Sequence, residues 1–268
     1  MAQPSSILSS RSQIMHKSLP RLCALFVLLA GWTLASLLAG ELLVPGPLTV
    51  FQHLTALSVL PDFWETLLIT AWRLALGLGL ATGAALLLGL AAGASPHILR
   101  FSSPFISTIQ SCPPVVWLTL LMVWAGTGPI IPVGVLFAAL FPPLFITVTQ
   151  GRLSLDRRLL AMAKVYAIPK HRQLVQLIIP GTFPHLVSGL SHALTAGWKA
   201  VAVAEFLGAG TGIGAKMFWA YRMLDMEELF AWTLVLIFLG ACVELGPVSQ
   251  LRSWAQKYTS RTRDQHND

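Results

Sequence analysis

Charge is what this sequence has least of. Asp, Glu, Lys and Arg make up 11% of its 268 residues, where a soluble domain carries roughly 25%. That shortage argues against a freely soluble cytosolic domain. Cysteine is also scarce. The three present, Cys23, Cys112 and Cys242, lie in or beside apolar runs with no paired spacing. This excludes a disulfide framework and a thiolate metal site, and leaves small buried apolar residues. Catalytic signatures are missing too: there is no HExxH, no GxSxG, and no depth at which paired polar residues gather as a membrane enzyme requires. Acidic residues number 11 against 18 basic ones, a net charge of +7. That balance raises nucleic acid as a partner. The basic residues, however, sit in short loops beside apolar runs, without an aromatic-interleaved basic stripe, so nucleic acid is set aside.

What is present is apolar length. Hydrophobic residues make up 55% of the chain, in blocks that approach or exceed the roughly 20 residues a helix needs to cross a bilayer. The expected fold is an all-α, polytopic membrane helix bundle with about six transmembrane helices. Residues 1–20 are a polar, Ser-rich tail, expected to be disordered, and residues 21–44 form the first span. A signal peptide competes for this block, but its apolar core runs from Leu22 to Gly40, longer than the roughly 7–15 residues of a signal core. Pro45–Phe63 reads as an extracytoplasmic connection with a short interfacial helix near Leu48–Ala56. The second span covers residues 66–93, with Gly79/Gly83 and Gly89/Gly93 spaced for close helix packing. Arg73, inside this span, either snorkels to the surface or lines a protein-enclosed path.

A short loop at 94–103 leads to a third span at 104–126, kinked by Pro113-Pro114. A tight turn at Gly126–Pro129 opens the fourth span, 129–150, with Pro142-Pro143 near its end. The fifth span, 185–207, carries His192, Lys199 and Glu205. Residues 208–228 read as a loop, 229–248 as the sixth span with Glu244 near its inner end, and 251–268 as a basic tail. Basic residues orient this topology. With the N-terminus inside, Lys216 and Arg222 alone lie outside, and Arg73 and Lys199 lie within the membrane; the rest of the 18 face the cytoplasm. Both termini and residues 151–184 are then cytoplasmic.

That cytoplasmic segment has a pattern of its own. Leu155, Leu159, Met162 and Tyr166 fall at i, i+4, i+7, i+11, one face of a helix over roughly 156–167. Asp156 suits the positive helix start, and Pro169 suits the first turn of a second short helix. Pro180 and Pro184 punctuate the approach to the fifth span. A shaped element on the charged side of a membrane protein implies a cytosolic docking partner. The chain holds no ATP site of its own: GAGTGIGAK at Gly208–Lys216 lacks the Gly before Lys216 and the Ser or Thr after it that a phosphate loop requires, and it lies on the outer side.

On these residues the chain resembles the permease subunits of bacterial ABC importers, in the binding-protein-dependent inner-membrane permease superfamily, and within it the nitrate/sulfonate/taurine-type branch. Ala161-Met162-Ala163, Ala167 and Ile178-Ile179-Pro180 occupy the spacing of the family's cytoplasmic Glu-Ala-Ala…Gly…Ile-x-Leu-Pro motif. Trp198-Lys199-Ala200, Ala204–Gly208 and Gly212-Ile213-Gly214 match further on, as do Pro113-Pro114 and Trp124–Gly128. The likeness spans roughly residues 20–250. Two departures stand out: Ala161 replaces the motif's Glu, and Ala167 its turn Gly.

The resemblance implies a type I importer (MetI-like) fold in the bacterial inner membrane. It implies a second permease chain, expected as a homodimer in membrane lipid, and cytosolic ATPase subunits that bind ATP and Mg. It also implies a periplasmic or lipid-anchored solute-binding protein. Leu155, Leu159, Ala161, Met162, Ala163, Lys164, Tyr166, Ala167 and Pro180 would carry the ATPase contact; Arg73, Pro113, Pro114, Lys199 and Glu205 are candidates for the translocation path. The branch implies a small oxyanion or sulfonate such as nitrate, taurine or an alkanesulfonate, with a thiamine-precursor-like compound or a metal complex as alternatives. Arg73 and Lys199 are the intramembrane cations available to an anion; the competing role for Lys199 is to pair with Glu205 or to snorkel. The rival functions are a secondary transporter, which needs ion-relay carboxylates such as Glu205 and Glu244, and a membrane scaffold without transport.

Overall fold

Proline opens four successive helices. In the computed structural model, residues 23–254 are described; the expected N-terminal tail, the first residues of the first span and the C-terminal tail from residue 255 lie outside them. Helix α1 (Cys23–Ala39) is a short apolar helix. Helices α2 (Pro47–Ser58), α3 (Pro61–Ala94), α4 (Pro96–Ser111) and α5 (Pro114–Ala125) each begin on a proline. A proline in the first turn costs no hydrogen bond, because its missing N–H would have no partner there. Then come α6 (Ile130–Leu153), α7 (Arg157–Val165), α8 (Lys170–Gln173), α9 (Ile179–Gly208), α10 (Ile213–Met223) and α11 (Met226–Val243). No strand occurs among the described residues.

Four helical runs are long and apolar enough to cross a membrane: Pro61–Ala94, Ile130–Leu153, Lys170–Gly208 and Met226–Trp254. They overlap the residues expected for the second, fourth, fifth and sixth spans. The expected third span takes a different form. Helices α4 and α5 meet at a bend of 93°, so Pro113-Pro114 break the span rather than kink it. Two adjacent prolines remove two N–H donors, and a residue before proline is driven out of the helical region; Cys112 is extended, with ψ of 124°. The loop expected at 94–103 is likewise helical, because Ser95 alone forms the joint before Pro96 starts α4. Residues 208–228 are mostly α10 rather than loop. Pro142-Pro143 lie in the interior of α6. Pro180 and Pro184 do not separate α8 from the fifth span. A π turn at Leu174–Ile178 carries α8 directly into α9, and such a wider turn changes the hydrogen-bonding partners just ahead of Pro180.

The core is the contact of α3 and α9 with α6, where Leu74, Ala81, Leu136, Leu140, Leu144 and Val201 are buried. Glycines set the closeness of α3 and α6. A Cβ at Gly77 would lie 2.5 Å from the Leu136 Cβ, and one at Gly93 would lie 2.6 Å from the Arg152 Cβ. Gly89 meets Val148 in the same way. Gly79 and Gly83, spaced for packing, have open space around them, so only half of the glycine pattern serves this interface. Trp232 is buried and stacks on Phe63 at 5.3 Å, tying α11 to α3. Lys216 and Asp62 form an ion pair of 2.6 Å between α10 and the start of α3.

Candidate functional site

Three places gather the chain's polar chemistry. The first is a buried clamp between α3, α9 and the glycine-rich turn that follows α9. The Arg73 Nη1 donates to Glu205 Oε1 at 2.8 Å, and both side chains are buried. Thr70 Oγ1 donates to Glu205 Oε2 at 2.9 Å, and the Gly214 N–H donates to the same oxygen at 3.2 Å. The Ile213 N–H donates to Thr70 Oγ1 at 2.9 Å, and Arg73 Nη2 donates to the Thr211 hydroxyl at 2.7 Å. The carboxylate therefore accepts three hydrogen bonds, and the guanidinium also holds the turn. A buried charge needs this degree of satisfaction to persist. The turn must come very close to supply it: a Cβ at Gly212, where φ is +103°, would lie 2.3 Å from the carboxylate. These are glycines of a polar clamp, not of a phosphate loop.

The clamp corrects two expectations. Glu205 is paired with Arg73, not with Lys199. Arg73 does not snorkel: it is buried, and its guanidinium holds Glu205 and Thr211. The sequence holds no local sign of this, because the partners are 132 residues apart.

The second place is a cavity of about 460 Å³ between α5, α6 and α9, lined by Pro114, Val115, Leu118, Val135, His192, Thr195, Ala196, Lys199, Ala200 and Val203. It brings together two of the path candidates, Pro114 and Lys199. Pro113 caps α5 beside it, and Arg73 and Glu205 are not in its wall. Its size falls in the range of small-molecule sites. The wall is apolar apart from a single row on α9. Among the described residues Lys199 has no hydrogen-bond or ion-pair partner. His192 and Thr195 share its face at i−7 and i−4. The sequence shows His192 on this span without joining it to Lys199, and Thr195 stands out in it by nothing but its helical spacing. Thr195 Oγ1 donates to Glu244 Oε2 at 2.7 Å, and Glu244 Oε1 pairs with Arg252 Nη1 at 2.8 Å.

The third place is α7. Its N-cap is Asp156, whose carboxylate accepts from the Arg158 N–H at 2.7 Å, satisfying one of the free donors of the first turn. Leu159, Met162 and Tyr166 are exposed, as are Ala161, Lys164 and Ala167. Leu155 departs from the expected stripe: it precedes the cap and packs inward over Gly181, whose Cβ it would exclude. Ala163 is buried and, with Leu159, Met162, Tyr166 and Ile168, lines a groove of about 290 Å³ against Gln176 and Leu177. Pro180 lies in the first turn of α9. The end of α7 is closed by Ile168 N–H donating to the Ala163 carbonyl and Ala167 N–H donating to the Lys164 carbonyl, both at 3.0 Å. This is the double closure of a Schellman turn, which requires a left-handed residue at its C′ position. Ala167 takes that conformation, with φ of +52°. The alanine therefore forms the same turn that a glycine would.

Over residues 85–246 the sequence matches the family described as binding-protein-dependent transport system inner membrane component, and the chain belongs to that family. It is a permease of the ABC importer class, of the nitrate/sulfonate/taurine branch. It is 27% identical over 221 residues to the taurine transport system permease protein TauC of Escherichia coli, covering 80% of each chain. It is 28% identical over 217 residues to the nitrate import permease protein NrtB of Synechococcus elongatus, covering 76% of this chain and 77% of that one. It is 24% identical over 197 residues to the putative aliphatic sulfonates transport permease protein SsuC of Bacillus subtilis, covering 74% of this chain and 71% of that one. The fold is shared with a bacterial alginate ABC transporter, at a TM-score of 0.62 and 13% identity over 96% of this chain and 99% of that one. It is also shared with the methionine ABC transporter MetNI in an inward-facing form, at a TM-score of 0.56 and 13% identity over 73% and 99%. The chain is therefore an integral membrane permease with the MetI-like fold.

Proposed function

We propose that this permease imports a small oxyanion or sulfonate, and that α7 couples it to a cytosolic ATPase. The observation that carries the coupling is the exposed apolar face of α7, where Leu159, Met162 and Tyr166 line a groove together with Ala163 and Ile168. A helix transmits force only when its apolar face is seated in a partner. Two copies of the permease form the pathway, and each offers one α7 to one ATPase subunit, which binds ATP and Mg. A periplasmic or lipid-anchored binding protein delivers the solute to the outer face. Both termini and α7 are cytoplasmic, as the basic residues require, and the membrane is the bacterial inner membrane. Nitrate, taurine and alkanesulfonates are the solutes that the named relatives bring forward.

A secondary transporter would need a free intramembrane carboxylate, whereas Glu205 and Glu244 are each held by an arginine. The test is to purify the assembled complex and identify the chains that come with it. Its ATPase activity is then measured with the binding protein and a panel of oxyanions, sulfonates and pyrimidines. Recovery of an ATPase subunit stimulated by an oxyanion or sulfonate is expected. A complex with no ATPase subunit would overturn the coupling, and stimulation by a pyrimidine alone would overturn the solute class.

A further inference from the structure

The row on α9 is longer than the cavity shows. Ser188, His192, Thr195 and Lys199 fall at i, i+4, i+7 and i+11, one face of a helix, and Ser188, His192 and Lys199 are exposed in the chain. Lys199 lies nine residues before the outer end of α9 at Gly208, about 13 Å inward at 1.5 Å per residue. His192 lies about 10 Å deeper. A lysine this far inside a span, with no hydrogen bond or ion pair among the described residues and only the more distant Glu244 acting on it, is costly unless it also faces water or an anion. The cavity wall around it is otherwise apolar, with Pro114, Leu118 and Val203.

We infer that Lys199 and His192 form an anion-selecting stage inside the permease, taking a small singly charged sulfonate or oxyanion. This rests on the import function proposed above and adds to it that the permease, not its binding protein alone, discriminates by charge. Lys199 supplies the charge. His192 supplies a ring N–H donor in either tautomer. One cation in an apolar wall balances one negative charge. A dianion would leave a net charge removed from water, which the wall cannot compensate.

One group opposes this. Glu244 faces the same row through its hydrogen bond from Thr195, and its carboxylate feels the charge of Lys199. Arg252 holds its other oxygen, so Lys199, Arg252 and Glu244 together leave one net positive charge at the cavity. Arg252 is thereby a positioning and neutralising residue of the stage, not a ligand.

The experiment uses the full chain assembled with its ATPase in nanodiscs, with Cys23→Ala, Cys112→Ala and Cys242→Ala. Ala196→Cys, in the cavity wall, is the reporter, and Leu87→Cys, exposed on α3 and outside the cavity wall, is the control. Labelling rates are compared for an anionic sulfonatoethyl methanethiosulfonate and a cationic trimethylammonioethyl methanethiosulfonate of similar size. The expected result is faster labelling of Ala196→Cys by the anionic reagent. That preference should fall by about tenfold in Lys199→Met, the scale on which a focused charge changes local ion concentration. It should be kept in Lys199→Arg and reduced in Arg252→Met. Labelling that favours the cation, or that is indifferent to Lys199, overturns the inference, as does failure of both reagents to label Ala196→Cys. None of these outcomes depends on uptake or on ATP hydrolysis, so they stand apart from a failure of the import function.

Discussion

Arg73 and Glu205 meet at 2.8 Å with almost no exposure to solvent, and through them α3 and α9 hold the turn at Thr211–Gly214. The pair replaces two separate intramembrane charges by one neutral unit. Removing one partner strands the other, a cost of about 3–5 kcal/mol for a buried pair. Arg73→Met and Glu205→Gln are therefore each expected to lower the thermal transition of the purified protein sharply. The double variant should lose less than the sum of the two, because partners in one network are not additive. A thermal melt of the detergent-solubilised chain reads this. Equal and additive losses would show that the two groups do not act as a pair.

Glycines at the α3–α6 contact separate from those that merely share its spacing. Gly77→Leu drives a side chain into Leu136, where even a Cβ comes to 2.5 Å. Overpacking of this kind costs roughly 1–3 kcal/mol or more. Gly79→Leu meets open space in the chain and is expected to leave the melting temperature of the solubilised chain unchanged or raised. The comparison is a melting curve for each variant in one detergent.

Ala167 in the left-handed region carries a steric cost that glycine does not, roughly 1–2 kcal/mol. Ala167→Gly is expected to stabilise the turn after α7, seen as slower proteolysis of the segment between Leu153 and Lys170. Ala167→Val is expected to accelerate it, since a branched Cβ suits that conformation less than Ala does. No difference between the two variants would mean that the turn bears no such strain.

Much of this was legible in the sequence because the signals are local. Apolar length located four spanning runs, and the i, i+3, i+7 spacing of Leu159, Met162 and Tyr166 located the exposed face of α7. Asp156 announced its cap. Hydropathy carries no direction, so residues 96–125 read as loop plus span while Pro113-Pro114 turn the chain by 93°. The clamp was illegible for a different reason: nothing near Arg73 points 132 residues ahead to Glu205, and glycines that admit a carboxylate look like glycines of a loop. The row from Ser188 to Lys199 lay in plain view at helical spacing. Its polar members stand singly among apolar residues, and only the fold shows that His192 and Thr195 share the cavity of Lys199.

The central claim is that α7 seats its apolar face in an ATPase and carries ATP-driven motion into the membrane helices. Met162 is half exposed on that face, at 53%, so a charge placed there should spare the permease fold while disrupting the seat. The measurement is solute uptake per ATP hydrolysed in proteoliposomes holding the whole transporter with Met162→Glu. The predicted result is a permease that inserts and melts as the parent does, with uptake per ATP reduced by an order of magnitude or more. Uptake per ATP equal to that of the parent would contradict the account.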